Sequence, residues 1–268
     1  MKRWILVALF ALVAPYAPYA PVTSAFADVT VKSTVAGKGM GMGNTQTVTY
    51  IKGTKMRTEM ISGDTTRISI FDLDAQKMYS FDSKKKEVDV YDIQKMSGEM
   101  TKSVQISDMK VSVKPNGKTK DLLGKSAAGY DMEISIPAMM GGANGMKMTV
   151  TLFGPIWVVK GAPGSADYIN FYKTAVEKGW FFTDPRAAQA QPGQAKAMAE
   201  MYRQMAATGG IPYEHEISIK MSGDGPMAAA FAKMGNITMT TTVNSVETTT
   251  IAADMFAVPA GYKLKEQK

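Results

Sequence analysis

The chain has no cysteine and a single histidine among its 268 residues. The first absence removes disulfides, thiolate nucleophiles and thiolate metal sites together. It also excludes anchoring as a bacterial lipoprotein, which needs a cysteine after the cleavage site. The lone His215 cannot form a histidine metal cluster. It sits on the parity of Ile217 and Ile219 at the start of an alternating segment, which reads as a partly buried structural histidine. No serine lies in anything like a nucleophile elbow. Asp72 and Asp74 fall in a turn, where Asp bonds its own backbone. The glycines of GKGMGMG (Gly37 to Gly43) alternate without a helix following, unlike a phosphate loop. SKKKE (Ser83 to Glu87) sits at a strand turn with acids after it, a solvated hairpin tip rather than a nucleic-acid patch. The expectation is a protein with no enzymatic activity, cofactor, metal or nucleic-acid partner.

The longest apolar run, WILVALFALVA (Trp4 to Ala14), is far short of the roughly 20 residues that span a bilayer. Lys2 and Arg3 precede it, and SAFA ends in small residues before Asp28, an export-signal pattern. Residues 1–27 are therefore expected to be a cleaved leader, cut after Ala27, placing the protein in the periplasm or outside the cell. Removing them takes Lys2 and Arg3 and no acid, leaving 29 Lys+Arg against 24 Asp+Glu, or +5. Residues 28–268 are long enough to bury one core without disulfides, and a monomer of one domain is expected.

Alternation with period two dominates that domain. In DVTVKSTV, Val29, Val31, Ser33 and Val35 share one face. GYDMEISI aligns Tyr130, Met132, Ile134 and Ile136, and NITMTTTV aligns Ile237, Met239, Thr241 and Val243. This is the signature of antiparallel strands with one dry and one wet face. Turn signals KGTK (Lys52 to Lys55), SGDT (Ser62 to Thr65), DLDAQ (Asp72 to Gln76), DSKKK (Asp82 to Lys86) and PNGK (Pro115 to Lys118) punctuate them. The period turns helical over residues 163–208. Ser165 is the expected N-cap of a first helix, Ile169, Tyr172 and Val176 its stripe, and Gly179 its stop. Met198, Met201, Tyr202 and Met205 mark one face of a second. The pattern is mainly β with a helical insert: an antiparallel sheet of about ten strands interrupted late by two helices. The sheet must cover its apolar face by curling on itself, by laying the helices across it, or by both, each leaving a concave, apolar space partly closed by a helical lid.

The 22 methionines raise a question of their own. Thioethers bind Cu(I) in Met-rich exported proteins, and GKGMGMGN and AMMGGANGMKM are suggestive. On the strands, however, Met56, Met60, Met132, Met148, Met221 and Met239 share parity with the apolar residues around them and behave as aliphatic side chains. Flexible, polarizable thioethers also suit a surface that adapts to an apolar guest.

Several segments resemble the LolA/LppX-like half-barrels of the bacterial envelope and, more closely, a catalogued family of exported domains of unknown function. They are YIKGTKMRTEM (Tyr50 to Met60), FDLDAQKMYSFDSKKKEVDVYD (Phe71 to Asp92), GKSAAGYDMEISI (Gly124 to Ile136), IWVVKGAPGSADYINFY (Ile156 to Tyr172), MAEMYRQMAATGGIP (Met198 to Pro212) and FAVPAGYK (Phe256 to Lys263). The resemblance implies a curved antiparallel sheet forming an unclosed half-barrel covered by the two helices, with a concavity holding acyl chains of lipids or lipoproteins. In LolA an arginine inside that concavity governs lipoprotein binding and release. Arg57 and Arg67 both lie opposite the expected apolar parity, which argues against the same delivery function.

The expected function is thus an exported carrier or sensor binding a lipid, acyl chain or other apolar molecule. An envelope lipoprotein or membrane surface is a further candidate partner. The expected lining is Met56, Met60, Ile68, Met132, Ile134, Met148, Val150, Met221 and Met239 from the sheet, with Trp157, Met201 and Met205 closing the lid side. Burying roughly 300 Å² of tail gains at most ~8 kcal/mol, several of which association consumes. Two alternatives remain at this stage: a structural or interaction protein whose concavity is filled by its own side chains, and a Met-based Cu(I) buffer.

Overall fold

The computed structural model describes residues 28–38, 44–95, 109–140, 146–180, 192–223 and 237–267. The predicted leader, Met40 and Met42 lie outside them. Twelve strands form one curved, unclosed sheet: β1 (Val29–Lys38), β2 (Thr45–Lys52), β3 (Lys55–Ser62), β4 (Thr65–Asp72), β5 (Lys77–Asp82), β6 (Glu87–Asp92), β7 (Lys110–Leu122), β8 (Lys125–Met140), β9 (Met146–Lys160), β10 (Gly210–Gly223), β11 (Ile237–Glu247) and β12 (Lys263–Glu266). Their order is β12-β6-β5-β4-β3-β2-β1-β11-β10-β9-β8-β7. Two antiparallel meanders, β1–β6 and β7–β11, therefore meet at the β1–β11 pair. The helical insert belongs between β9 and β10, as the change of period indicates.

Twelve strands exceed the ten expected, and β12 pairs parallel to β6. All four residues of β12 are exposed, so they carry no alternation to detect. PNGK is not a turn. It lies within β7, where the register against β8 slips between Pro115 and Thr119. The chain reverses instead at Leu123 and Gly124, both with positive φ.

Helix α1 (Ser165–Glu177) is entered through Gly164, with no side-chain cap, so Ser165 is its first residue rather than its N-cap. It ends as expected at Gly179, whose φ of 79° is left-handed. The Trp180 amide reaches the Ala175 carbonyl at 2.9 Å and the Gly179 amide that of Val176 at 3.0 Å. These two bonds form a Schellman cap, and its apolar partner is the fully buried Trp180. The buried line of α1 runs through Asp167, Phe171 and Ala175 rather than Ile169 and Val176. Helix α2 (Pro192–Ala207) packs on α1, with Tyr172 and Tyr202 stacked at 5.2 Å and 10°.

α1 lies over β2 and β10, and α2 over β7 and β8. The Gln204 side chain closes the outer edge of β7: its amide donates to the Val111 carbonyl at 3.1 Å and its oxygen accepts from the Val113 amide at 2.8 Å. An exposed strand edge is thereby partnered by a helix. Beneath the helices lie two apolar clusters, one centred on Phe71, Phe171 and Trp180, the other on Ile134, Ile156 and Met201.

The opposite, convex face is dry as well over β4–β6. Ile68, Ile70, Phe81, Val88 and Val90 pack there under the chain's end, against Ile251 and Phe256. Asp28 holds this crossing, accepting from the Ile251 amide at 2.7 Å and from the Lys52 ammonium at 2.6 Å. Arg57 donates to the Met255 carbonyl at 3.0 Å.

Candidate functional site

A cavity of about 400 Å³ lies between the concave face of the sheet and the two helices. Its floor is ordered by strand register, because directly opposed residues of an antiparallel pair share a face. Three rows cross the first meander. The innermost, Val29–Ile51–Met56–Phe71–Met78–Tyr91, is buried against α1. The next is Val31–Thr49–Thr58–Ser69–Ser80, four hydroxyls on four adjacent strands. The outermost, Ser33–Thr47–Met60–Arg67, ends in two exposed side chains, Met60 being 48% accessible. The second meander supplies Met132, Ile156, Pro212, His215, Ile217, Thr241 and Val243. The helices contribute Tyr168 and Tyr172 from α1 and Met198, Met201, Tyr202 and Met205 from α2.

The cavity therefore collects seven methionines: Met56, Met60, Met78, Met132, Met198, Met201 and Met205. Five of these, Met56, Met60, Met132, Met201 and Met205, are among the twelve expected lining residues. The other seven lie elsewhere. Ile134 and Val150 are on the concave face but pack under α2 as part of its core. Met148 and Met221 flank Val150 by register, and Met239 is opposite Ile217, all part-buried on the same face beyond the cavity wall.

Two expectations point to the wrong face. Ile68 belongs to the convex cluster under the chain's end. Trp157 is on β9 rather than the lid and has the parity opposite to Ile156, with the Lys120 ammonium 5.8 Å from its ring centre. The parity of Arg67 was also misjudged: it stands opposite Met60 and lines the cavity, while Arg57 is on the convex side.

The site is more polar than a methionine pocket. His215 forms part of its wall, and its Nδ1 is buried without a hydrogen-bond partner. Burial lowers its pKa to about 4, against a small opposing pull from Glu214, so the imidazole is neutral at pH 7. The three lid tyrosines have raised pKa values, chiefly through desolvation, and are neutral phenols. Tyr168 and Tyr172 rings stand 4.7 Å apart.

The sequence pattern singles out His215 but not its place in the wall, marks Tyr172 and Tyr202 on the helix faces, and gives no sign of Tyr168 or of the hydroxyl row. The hydroxyls alternate with Met56, Met60, Phe71 and Met78 along each strand at an available spacing of two. They were passed over because Ser and Thr on a dry face read as neutral filler.

Among the described residues, no group of three or more His, Asp or Glu is placed to hold a metal ion, and no helix is long and apolar enough to cross a membrane. The arrangement is a partly enclosed, mainly apolar chamber with a line of neutral hydroxyls along one side.

No family model and no curated protein sequence matches the chain. Among solved structures, PNGF-II is similar with a TM-score of 0.38 and 8% identity, over 90% of this chain and 31% of PNGF-II. The chain thus spans about a third of that protein's length. A LolA superfamily protein from Nitrosomonas europaea is similar with a TM-score of 0.26 and 5% identity, over 86% of this chain and 89% of that protein. Likenesses this low assign neither family nor activity, and the half-barrel and its chamber stand on their own geometry.

Proposed function

We propose that this protein is an exported carrier or sensor that holds a lipid, an acyl chain or a similar apolar molecule between its sheet and its helical pair. One observation carries the reading: about 400 Å³ of space stays between sheet and lid although Met198, Met201, Tyr202 and Met205 face it. The size falls within the range of small-ligand sites. A concavity filled by its own side chains is the competing arrangement, and this volume speaks against it. At ~0.8 kcal/mol per buried methylene, a ten-carbon tail gains about 8 kcal/mol before association is charged. Micromolar affinity follows. Export rests on the leader-like residues 1–27 alone, and no catalytic step is included.

Titration of the delipidated protein with an apolar naphthylamine fluorophore, followed by displacement with lauric acid, tests the proposal. Saturable micromolar binding that Met201→Lys abolishes, with the far-UV spectrum unchanged, supports it. Failure of the folded protein to take up the fluorophore overturns it. Native mass spectrometry of protein released gently from its envelope separates the remaining readings: a lipid adduct supports carriage, whereas a copper adduct displaces it in favour of a Cu(I) buffer.

A further inference from the structure

The hydroxyl row has no role in a site built only for hydrocarbon. Thr49, Thr58, Ser69 and Ser80 are direct cross-strand neighbours on β2, β3, β4 and β5. Fluctuating surface hydroxyls would need no explanation, but these line the cavity, and Ser80 is only 9% exposed. Among the described residues none of the four side chains has a hydrogen-bonding partner. Valine at each position would favour the strand and the apolar chamber equally well. None of the four oxygens is sealed from the chamber, so each can bond a molecule inside it, and four in line form a polar stripe suited to the polar atoms of a guest. The buried, unpartnered Nδ1 of His215 adds another polar atom to the same chamber.

The chemistry of that guest follows from the donors. Each hydroxyl both donates and accepts, and none carries charge. The row matches an uncharged head with several hydroxyl or ester oxygens spaced along it. A cation within the row would be the mark of an anionic head; Arg67 also lines the cavity, but from the outer row, where it is exposed to solvent that screens its charge. The apolar wall of Met132, Ile156, Met201 and Met205 faces the row across the chamber and accepts a tail.

Resting on the carrier reading above, we infer that the ligand is an amphiphile with an uncharged, hydroxyl-bearing head, of the monoacylglycerol type. Its head lies along Thr49–Thr58–Ser69–Ser80 and its acyl chain under the methionines. Two hydrogen bonds gained by the head correspond to about a tenfold gain in affinity.

Displacement of the bound naphthylamine fluorophore by three twelve-carbon compounds tests the assignment. Lauroyl glycerol has the tail and two free hydroxyls, methyl laurate has the tail and ester without them, and lauric acid bears a charge. The expected result is a preference of about tenfold for lauroyl glycerol over the other two. The double variant Thr58→Val/Ser69→Ala should reduce that preference to near unity, with the far-UV spectrum unchanged. Equal displacement by lauroyl glycerol and methyl laurate, or a preference that survives the double variant, overturns the inference and leaves the carrier reading intact. A preference for lauric acid also overturns it, assigning head recognition to charge. Absence of fluorophore binding by the parent protein sinks the carrier reading itself.

Discussion

Replacing His215 by leucine should remove much of the acid sensitivity of this fold between pH 6.5 and 4. The imidazole is in the cavity wall opposite Thr241 and Ile156, with Nδ1 buried and unpartnered. Burial depresses its pKa from 6.5 to about 4. Over that interval the unfolded chain binds a proton that the folded one refuses, so stability rises with pH. The contribution is fully present above pH 6.5 and declines as the pH falls toward 4. At 1.36 kcal/mol per unit, the 2.5-unit depression amounts to about 3 kcal/mol. Asp64, Asp72, Glu87, Glu200 and Glu247 have lowered pKa values, so their stabilisation is lost only in more acid solution, alike in both proteins. Urea unfolding of parent and His215→Leu at pH 7, 5.5 and 4.5 isolates the histidine. The stability difference should move in the variant's favour by about 1.4 kcal/mol per pH unit below 6.5, with equal m-values. A difference that stays flat with pH would mean that the folded imidazole takes up its proton normally, and the buried neutral wall described here would be wrong.

Two further changes probe the frame around the chamber. Gly154 in β9 has φ 154°, and a Cβ there would collide with the Glu216 backbone carbonyl, which cannot yield as a side chain can. Gly154→Ala should destabilise by about 3 kcal/mol, a fall in Tm of about 10 °C by calorimetry; an unchanged Tm would show that β9 and β10 are less closely apposed. Gln204→Ala removes both bonds that close the edge of β7. It should reduce stability by about 1–2 kcal/mol and speed hydrogen exchange at the Val113 amide selectively; unaltered exchange there would refute the edge closure.

Alternation located most strands because opposed environments impose opposite side chains at a period of two. It placed Met56, Met60 and Met132 on a common face, the concave one, without reference to any partner strand. The same rule failed at Ile68 for a physical reason. It presumes one wet face, whereas β4–β6 are covered on both, by α1 on one side and by Ile251 and Phe256 on the other. When both faces are dry, parity separates two sets of residues but cannot say which set is concave. Arg67 was misassigned by the same step, since its neighbours Ile68 and Ile70 look like the buried side.

Helices were legible from the change of period and from the glycine stop at Gly179, with the stripe on α1 rotated by about one residue. The Tyr172–Tyr202 stack joins two separate helices, so no local pattern announces it.

Residue order alone determined the run of antiparallel strands, its late helical interruption and the parity that the strand methionines share with their aliphatic neighbours, since these depend on neighbours two to four positions away. Tertiary structure decided which buried face is concave, how much space the lid leaves and which hydroxyls stand side by side. Those depend on strand register and on the chain's end folding back across β4–β6, contacts between residues up to 223 positions apart.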